Sequence, residues 1–223
     1  MALGIVLAAL AGTIGAAAWT HTEGWYVTFM TGNTERMVLE HYKTNHLLGI
    51  SALATVLFFV LGVVLATLAR VFLWRKASHG ATLVTAAATY GAWAVDALTN
   101  DSGAVFGVAP VLALALGLGA LNTSISRDNQ VVMPLSYVTG TLVKLGQGVA
   151  LHLAGVQRWV WVSQAVTYAG FLVGAALGGA VLHAVPSGAA LASLAGMTTV
   201  VAVVTWRLDH PAFSFEDAHG SNT

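Results

Sequence analysis

Six long apolar stretches constrain this chain more than any other feature. They run roughly over Leu3–Trp19, Leu47–Ala69, Ala81–Leu98, Val105–Ile125, Trp159–Leu182 and Ala189–Trp206. A membrane-spanning helix needs about 20 such residues, within a range of about 17–25. In hydrocarbon an isolated segment can satisfy its backbone only internally, so each stretch is expected to be helical. Only 8% of the 223 residues are charged, against about 25% in a soluble domain, too few to clothe a water-facing surface. The first stretch has no basic residue ahead of it and five more stretches follow. It is therefore expected to be a span rather than a signal peptide.

Two short motifs sit between the spans at corresponding places. Thr31-Gly32-Asn33 follows Phe29-Met30, and Thr139-Gly140-Thr141 follows Tyr137-Val138, 108 residues later (31 to 139). Arg36 and Lys144 each stand three places beyond their motif. Phe59–Ala66 is echoed more weakly by Phe171–Gly178, while the third and sixth spans share no convincing identity. We read this as an internal duplication within one transmembrane domain, residues 1–208, with halves of about 1–104 and 105–208. Three spans per half is an odd number, so the halves insert upside down relative to each other, a common plan of secondary transporters. The expected fold is all-α: six transmembrane helices in two inverted three-helix repeats, each with a short broken or re-entrant segment at T-G-N or T-G-T. Residues 209–223 are polar and expected to form a disordered tail.

The placement of Lys and Arg favours this count. With the N-terminus inside, six spans put Arg70, Arg75, Lys76, Arg127, Lys144, Arg158 and Arg207 on the inner side and only Arg36 and Lys43 outside, as the positive-inside rule asks. Letting both motif segments cross fully makes eight spans and moves Arg158 and Arg207 outside. The expected location is the bacterial inner membrane, multi-pass, with both termini cytoplasmic. The net charge is zero and there is no basic run, so nucleic acid is not an expected partner. With no cysteine, disulfides and thiolate metal sites are excluded.

A glycine flanked by Thr and by Asn or Thr suits a helix start inside a cavity. Glycine permits close approach or a local break, and Thr or Asn can cap the first turn. The N–H groups left over bind anions or dipoles, as in the broken helices of transporters. The competing use is packing, with the glycine at a tight crossing and the polar side chains bonded to a neighbouring helix. Thr31, Gly32, Asn33, Thr139, Gly140 and Thr141 are thus candidate solute-binding residues, with Phe29, Tyr137 and Trp19 as stacking or gating aromatics. Asn122 ends the fourth span beside a polar cluster that includes Arg127 and Asp128. It either touches solute or ties helices together, and Arg127 either binds an anionic group or anchors the interface.

Asp96, near the end of the third span, is an intramembrane carboxylate and hence a candidate coupling residue; the alternative is a hydrated interfacial acid near Asn100 and Asp101. Glu35, Arg36, Arg127, Asp128 and Lys144 complete the coupling or gating candidates, Glu35 and Arg36 having the wet face of an amphipathic helix as their other reading. The eight histidines show no ligand spacing, so neither a metal nor another cofactor is expected. Gly170, Gly174 and Gly178 form a ridge in the fifth span, as Gly4, Ala8, Gly12 and Ala16 do in the first. Packing within the chain is the expected use, and homodimerisation through the fifth span the alternative.

Three stretches in order, Phe29-Met30-Thr31-Gly32-Asn33, then Gly119-Ala120-Leu121-Asn122 with Arg127, then Val138-Thr139-Gly140-Thr141, resemble the YoaK family of small bacterial integral membrane proteins of unknown function. The resemblance covers nearly the whole chain. It implies a multi-pass membrane fold and carries no activity with it. The chain departs from the family pattern at Leu121, where the family has Gln, and over Gly12–Ala18, where members often carry an Asp and this chain offers only Thr13. No nucleophile–base order, Walker loop or dinucleotide fingerprint stands in a credible setting, so no enzyme is expected. The function expected is a secondary transporter or facilitator of a small solute, surrounded by membrane lipids. A passive channel of the same fold and a non-transporting scaffold or partner subunit are the alternatives.

Overall fold

The computed structural model describes residues 2–22, 24–43, 46–73, 79–99, 107–127, 130–131, 135–156 and 158–209. Helices occupy all six apolar stretches: α1 Ala2–Thr20, α3 His46–Phe72, α4 His79–Thr99, α5 Val108–Leu121, α7 Val160–His183 and α8 Ser187–Asp209. The motif segments form two shorter helices, α2 Met30–Leu39, continued by a 3-10 turn Glu40–Tyr42, and α6 Val138–Leu153. Between α5 and α6 lies a two-residue antiparallel ladder, β1 Ser126–Arg127 with β2 Gln130–Val131. The expected tail lies outside the described residues from His210 onward.

Four helices, α1, α3, α7 and α8, are long and apolar enough by themselves to cross a membrane. α5 is apolar but has 14 residues, only about 21 Å at 1.5 Å per residue. α4 is long enough, but Thr82, Thr85, Thr89 and Asp96 dilute its hydropathy. All four of those side chains are buried, so α4 shows them to the protein and not to its surroundings. The outward faces carry the opposite chemistry. Leu57, Val60, Leu61, Val64, Leu65 and Leu68 of α3 are exposed, as are Leu172, Val173, Leu177 and Val181 of α7. Apolar stripes of this length are unfavourable in water and at home in hydrocarbon.

Glycine sets which helices touch. A Cβ on Gly12 would lie 2.2 Å from the Phe171 carbonyl oxygen, and one on Gly174 would lie 1.9 Å from that of Ala9. Ile5, Ala9 and Thr13 face Gly170, Gly174 and Gly178 in step, so α1 and α7 run parallel, and the glycine ridge of the fifth span is covered by α1 of the same chain. Thr13 Oγ1 adds a 3.0 Å bond to the Gly174 carbonyl at this crossing. α3 and α5 repeat the arrangement, with Gly62 facing the Leu116 carbonyl oxygen at 1.9 Å and Gly119 that of Phe59 at 2.0 Å.

Threonine joins the rest. On one side of α4, Thr85 Oγ1 donates to the Gly117 carbonyl of α5 at 2.9 Å. On the other, the hydroxyls of Thr82 and Thr89 bond those of Thr205 and Thr198 at 2.7 and 2.8 Å. Rising along α4 means descending along α8, so these two helices are antiparallel. Such neutral interhelical bonds hold helices together in lipid, where no hydrophobic force does. Leu7, Leu10 and Ile14 of α1, Leu114 and Leu118 of α5 and Leu191 and Leu194 of α8 fill a common core.

Candidate functional site

The starts of α2 and α6 open on one cavity of about 560 Å³. Tyr26, Thr28, Phe29, Met30 and Thr31 line it from the first half of the chain, and Ser136, Tyr137, Val138 and Thr139 from the second. Phe59, Phe171, Asn122 and Thr123 help close it. No Asp, Glu, Lys, Arg or His is among its described lining residues.

The motifs do not break a helix; each forms a first turn. Phe29 and Tyr137 occupy the N-cap positions, and no side chain caps either helix. This corrects the expected capping by Thr or Asn. The glycines are accounted for by what lies over them. A Cβ on Gly32 would lie 2.2 Å from the Phe29 ring, and one on Gly140 would lie 1.8 Å from Tyr137 Cε1. The spacing aromatic-x-x-Gly therefore lets a ring at the N-cap fold back over the third helical residue. Thr31 and Thr139 stand at the second helical position, beside first-turn N–H groups that have no partner within their own helix.

Asn33 and Asn122 do different work. Asn33 is buried and does not line the cavity; its Nδ2 donates to the Tyr26 carbonyl at 2.7 Å. Asn122 lines the cavity and also ties helices together. Its Nδ2 donates to the Leu118 carbonyl at 2.8 Å and to Ser136 Oγ at 2.9 Å, and its Oδ1 accepts from the Ser136 backbone N–H at 2.9 Å. The tie between the end of α5 and the approach to α6 is one of the two uses read from the sequence. At the same end of α5 the guanidinium of Arg70 donates to the Thr123 carbonyl, a buried contact for a residue that sequence reasoning counted only as a loop charge.

The remaining candidates lie elsewhere. Gly32, Gly140 and Thr141 sit in the first turns without lining the cavity, and Thr141 Oγ1 bonds back to the Tyr137 carbonyl at 3.0 Å. Trp19 lines a second cavity. Asp96 is buried in the last turn of α4. Ser187 Oγ donates to its Oδ2 at 3.4 Å, which places the carboxylate at the first turn of α8, where a helix favours negative charge. Glu35 and Lys144 are exposed and Arg36 half-buried, all away from the cavity. Arg127 lies in β1; its side chain and the whole of Asp128 fall outside the described residues. Sequence reasoning missed Thr28, Ser136, Phe59 and Phe171 as lining residues. The two phenylalanines had a signal, since each opens one copy of the weak echo.

A family model described as Protein of unknown function (DUF1275) matches residues 3–204. The chain belongs to this family. The DUF1275 match agrees with the resemblance carried by the three motifs, and it runs from α1 into α8, so the whole cavity lies within the family unit. The chain is also similar to the UPF0700 transmembrane protein RA0705 of Rhizobium meliloti (strain 1021), with 33% identity over 67 residues, 30% of this chain. That stretch is 30% of the relative's own length. No solved structure matches. With four helices that can each cross a bilayer unaided, this DUF1275 member is a multi-pass membrane protein.

Proposed function

We propose that the chain is a secondary transporter or facilitator. In this reading it carries a small uncharged solute, chemically unaltered, across the bacterial inner membrane through the cavity between α2 and α6. One observation carries the reading: the starts of α2 and α6, the two helices that carry the paired motifs, meet on one cavity whose described lining holds no charged side chain.

The helix contacts support an inverted repeat around that cavity. Gly12 against Phe171 and Gly174 against Ala9 in one pair of helices correspond to Gly119 against Phe59 and Gly62 against Leu116 in the other. Thr89 bonds Thr198 and Tyr90 bonds Thr199, each pair separated by 109 residues, close to the offset between the motifs. These contacts support a reading in which two halves are related by a two-fold axis passing between α4 and α8, and repeats of this kind place their working site near the midplane. α4 and α5 are then the third and fourth spans. α2, with 10 residues and thus about 15 Å long, enters only partway. The distribution of Lys and Arg supports an orientation with both termini in the cytoplasm.

A full charge buried without a partner costs several kcal/mol, so an ion gains little from this cavity. The hydroxyls of Thr28, Thr31 and Thr139 and the first-turn N–H groups suit carbonyl or hydroxyl oxygens, and the rings of Phe29, Phe59, Tyr137 and Phe171 suit an apolar face. A thermal-shift screen of purified protein against neutral, cationic and anionic metabolites tests this, since a ligand at 100 times its Kd adds about 2.7 kcal/mol to the folded state. Hits are expected among neutral solutes with both polar and apolar faces, with saturable uptake of the same solutes into vesicles. Both are expected to be lost in the double variant Thr31→Val, Thr139→Val. Uptake unchanged in that variant removes the site, and hits confined to ions remove the solute class. Gly140→Ala separates binding from stability. It is expected to keep or raise Tm, because Ala favours a helix over Gly by about 1 kcal/mol. Binding is expected to weaken roughly tenfold, about 1.4 kcal/mol, as the new methyl group displaces the Tyr137 ring.

A further inference from the structure

The cavity that Trp19 lines has no part in the reading above. It holds about 590 Å³ in the groove between α1 and α7, toward the C-terminal ends of both helices. Gly15 and Ala16 of α1 and Ala175, Ala176 and Gly179 of α7 keep its walls free of bulk, and Trp19 and His183 stand at its end. It shares with the first cavity three lining residues, Tyr26, Thr28 and Phe171. Those three are therefore the wall between the two spaces.

We propose that this second cavity is a second station for the same uncharged solute, on the route between the first cavity and one face of the membrane. Tyr26, Thr28 and Phe171 form the gate between the stations, and Asn33 latches it. The proposal rests on the transport reading.

The three residues are not held equally. Thr28 is seated in a notch, since a Cβ on Gly15 would lie 2.7 Å from its Cγ2. The backbone of Phe171 is pressed against Gly12. Tyr26 is 46% exposed, meets Phe29 edge to face at 6.2 Å between ring centroids, and has its carbonyl bonded by Asn33. Tyr26 is thus the part able to move, and its restraint comes from the first turn of α2, the turn that also presents Phe29 and Thr31 to the first cavity. A solute that shifts that turn shifts the latch. Among the described residues the second motif shows no such latch, since Thr141 bonds back to the Tyr137 carbonyl. The two motifs thus differ in what their third residues bond, Asn at 33 and Thr at 141.

The chain has no cysteine, so single introduced thiols report cleanly. Ala180→Cys marks the second cavity and Thr139→Cys the first; a membrane-impermeant maleimide is added from either face of oriented vesicles. Ala180→Cys is expected to react from one face only and Thr139→Cys only from the other. Adding Asn33→Thr or Phe171→Ala is expected to speed the reaction of Thr139→Cys from the Ala180 face by about tenfold, as the closed gate loses population. Ala180→Cys unreactive from both faces but quenched by a lipid-borne probe makes the groove a lipid crevice and overturns the second station. Thr139→Cys labelling unaltered by both Asn33→Thr and Phe171→Ala overturns the gate. Unchanged helical circular dichroism and monodisperse elution establish that the variants are folded. Labelling needs no solute, so the expected pattern together with a blank ligand screen removes the transport reading while leaving the gated water path in place.

Discussion

Gly174→Ala is expected to lower Tm by about 3–14 °C, among the largest stability effects of a single methyl group in this chain. The added carbon would lie 1.9 Å from the Ala9 carbonyl oxygen and 2.6 Å from Ala9 Cα. Both are backbone atoms, so no rotamer change relieves the clash, and α1 and α7 must part. Overpacking of this kind costs about 1–3 kcal/mol. The bond from Thr13 to the Gly174 carbonyl sits at the same crossing and is worth about 0.6 kcal/mol more in a membrane. At about 2–4 °C per kcal/mol for a chain of this size, the two terms account for the expected shift. Gly62→Ala is expected to behave alike, facing the Leu116 carbonyl oxygen at 1.9 Å. Gly146→Ala is the control: nothing lies within 4 Å of its Cβ position, and the helix gains up to about 1 kcal/mol. Melting of the three variants in one detergent decides it, and equal Tm values for Gly174→Ala and Gly146→Ala show that the crossing is not close.

Asn122→Ala is expected to destabilise the protein and to abolish solute binding together. The amide bonds the Leu118 carbonyl, the Ser136 backbone N–H and the Ser136 hydroxyl. It thereby ties the end of α5 to the approach to α6. Removing it leaves the half-buried Ser136 N–H without its protein partner, at a cost toward the lower end of about 1–3 kcal/mol, and frees the start of α6 to drift from the cavity. Ser136→Ala keeps the N–H to Oδ1 bond and loses only the hydroxyl, so its cost is expected to be near the 0.5–1.5 kcal/mol of an ordinary hydrogen bond, about a third to a half of the Asn122→Ala effect. Paired melting curves with a binding titration on each variant measure this. If Ser136→Ala proves as damaging as Asn122→Ala, the backbone bond is not what holds α6.

Much of the site was legible, though for reasons only partly understood from sequence. The T-G-N and T-G-T copies mark the cavity because both lie at helix starts, as their residue types suggested. Their glycines were read as allowing close backbone approach or a local break, when the aromatic residue three places earlier needs the space. That reason is steric and appears only once the Phe29 and Tyr137 rings are placed. Asn33 and Thr141 look equivalent in an overlay yet make different bonds, one to the Tyr26 carbonyl and one within its own helix. Asp96 looked like a coupling group because a carboxylate in an apolar stretch is costly. Its burial against Ser187 at the start of α8 provides an electrostatic reason that no spacing within α4 could reveal.

Hydropathy and motif spacing were enough to settle that the surroundings are lipid, that the elements are helices, and that two motif copies stand at helix starts. Each of these follows from local chemistry: apolar runs of span length, backbone groups that must bond within their own segment, and residue types suited to a first turn. Which helices touch was not local. α1 packs on α7 and α3 on α5 because glycines far apart in the chain meet backbone carbonyls, and α4 meets α8 because the hydroxyls of Thr82 and Thr89 find those of Thr205 and Thr198. The third and sixth apolar stretches, which share no convincing identity as text, form α4 and α8 and face each other through those bonds. A hydroxyl partner is defined by distance in space, and a linear pattern does not contain that distance.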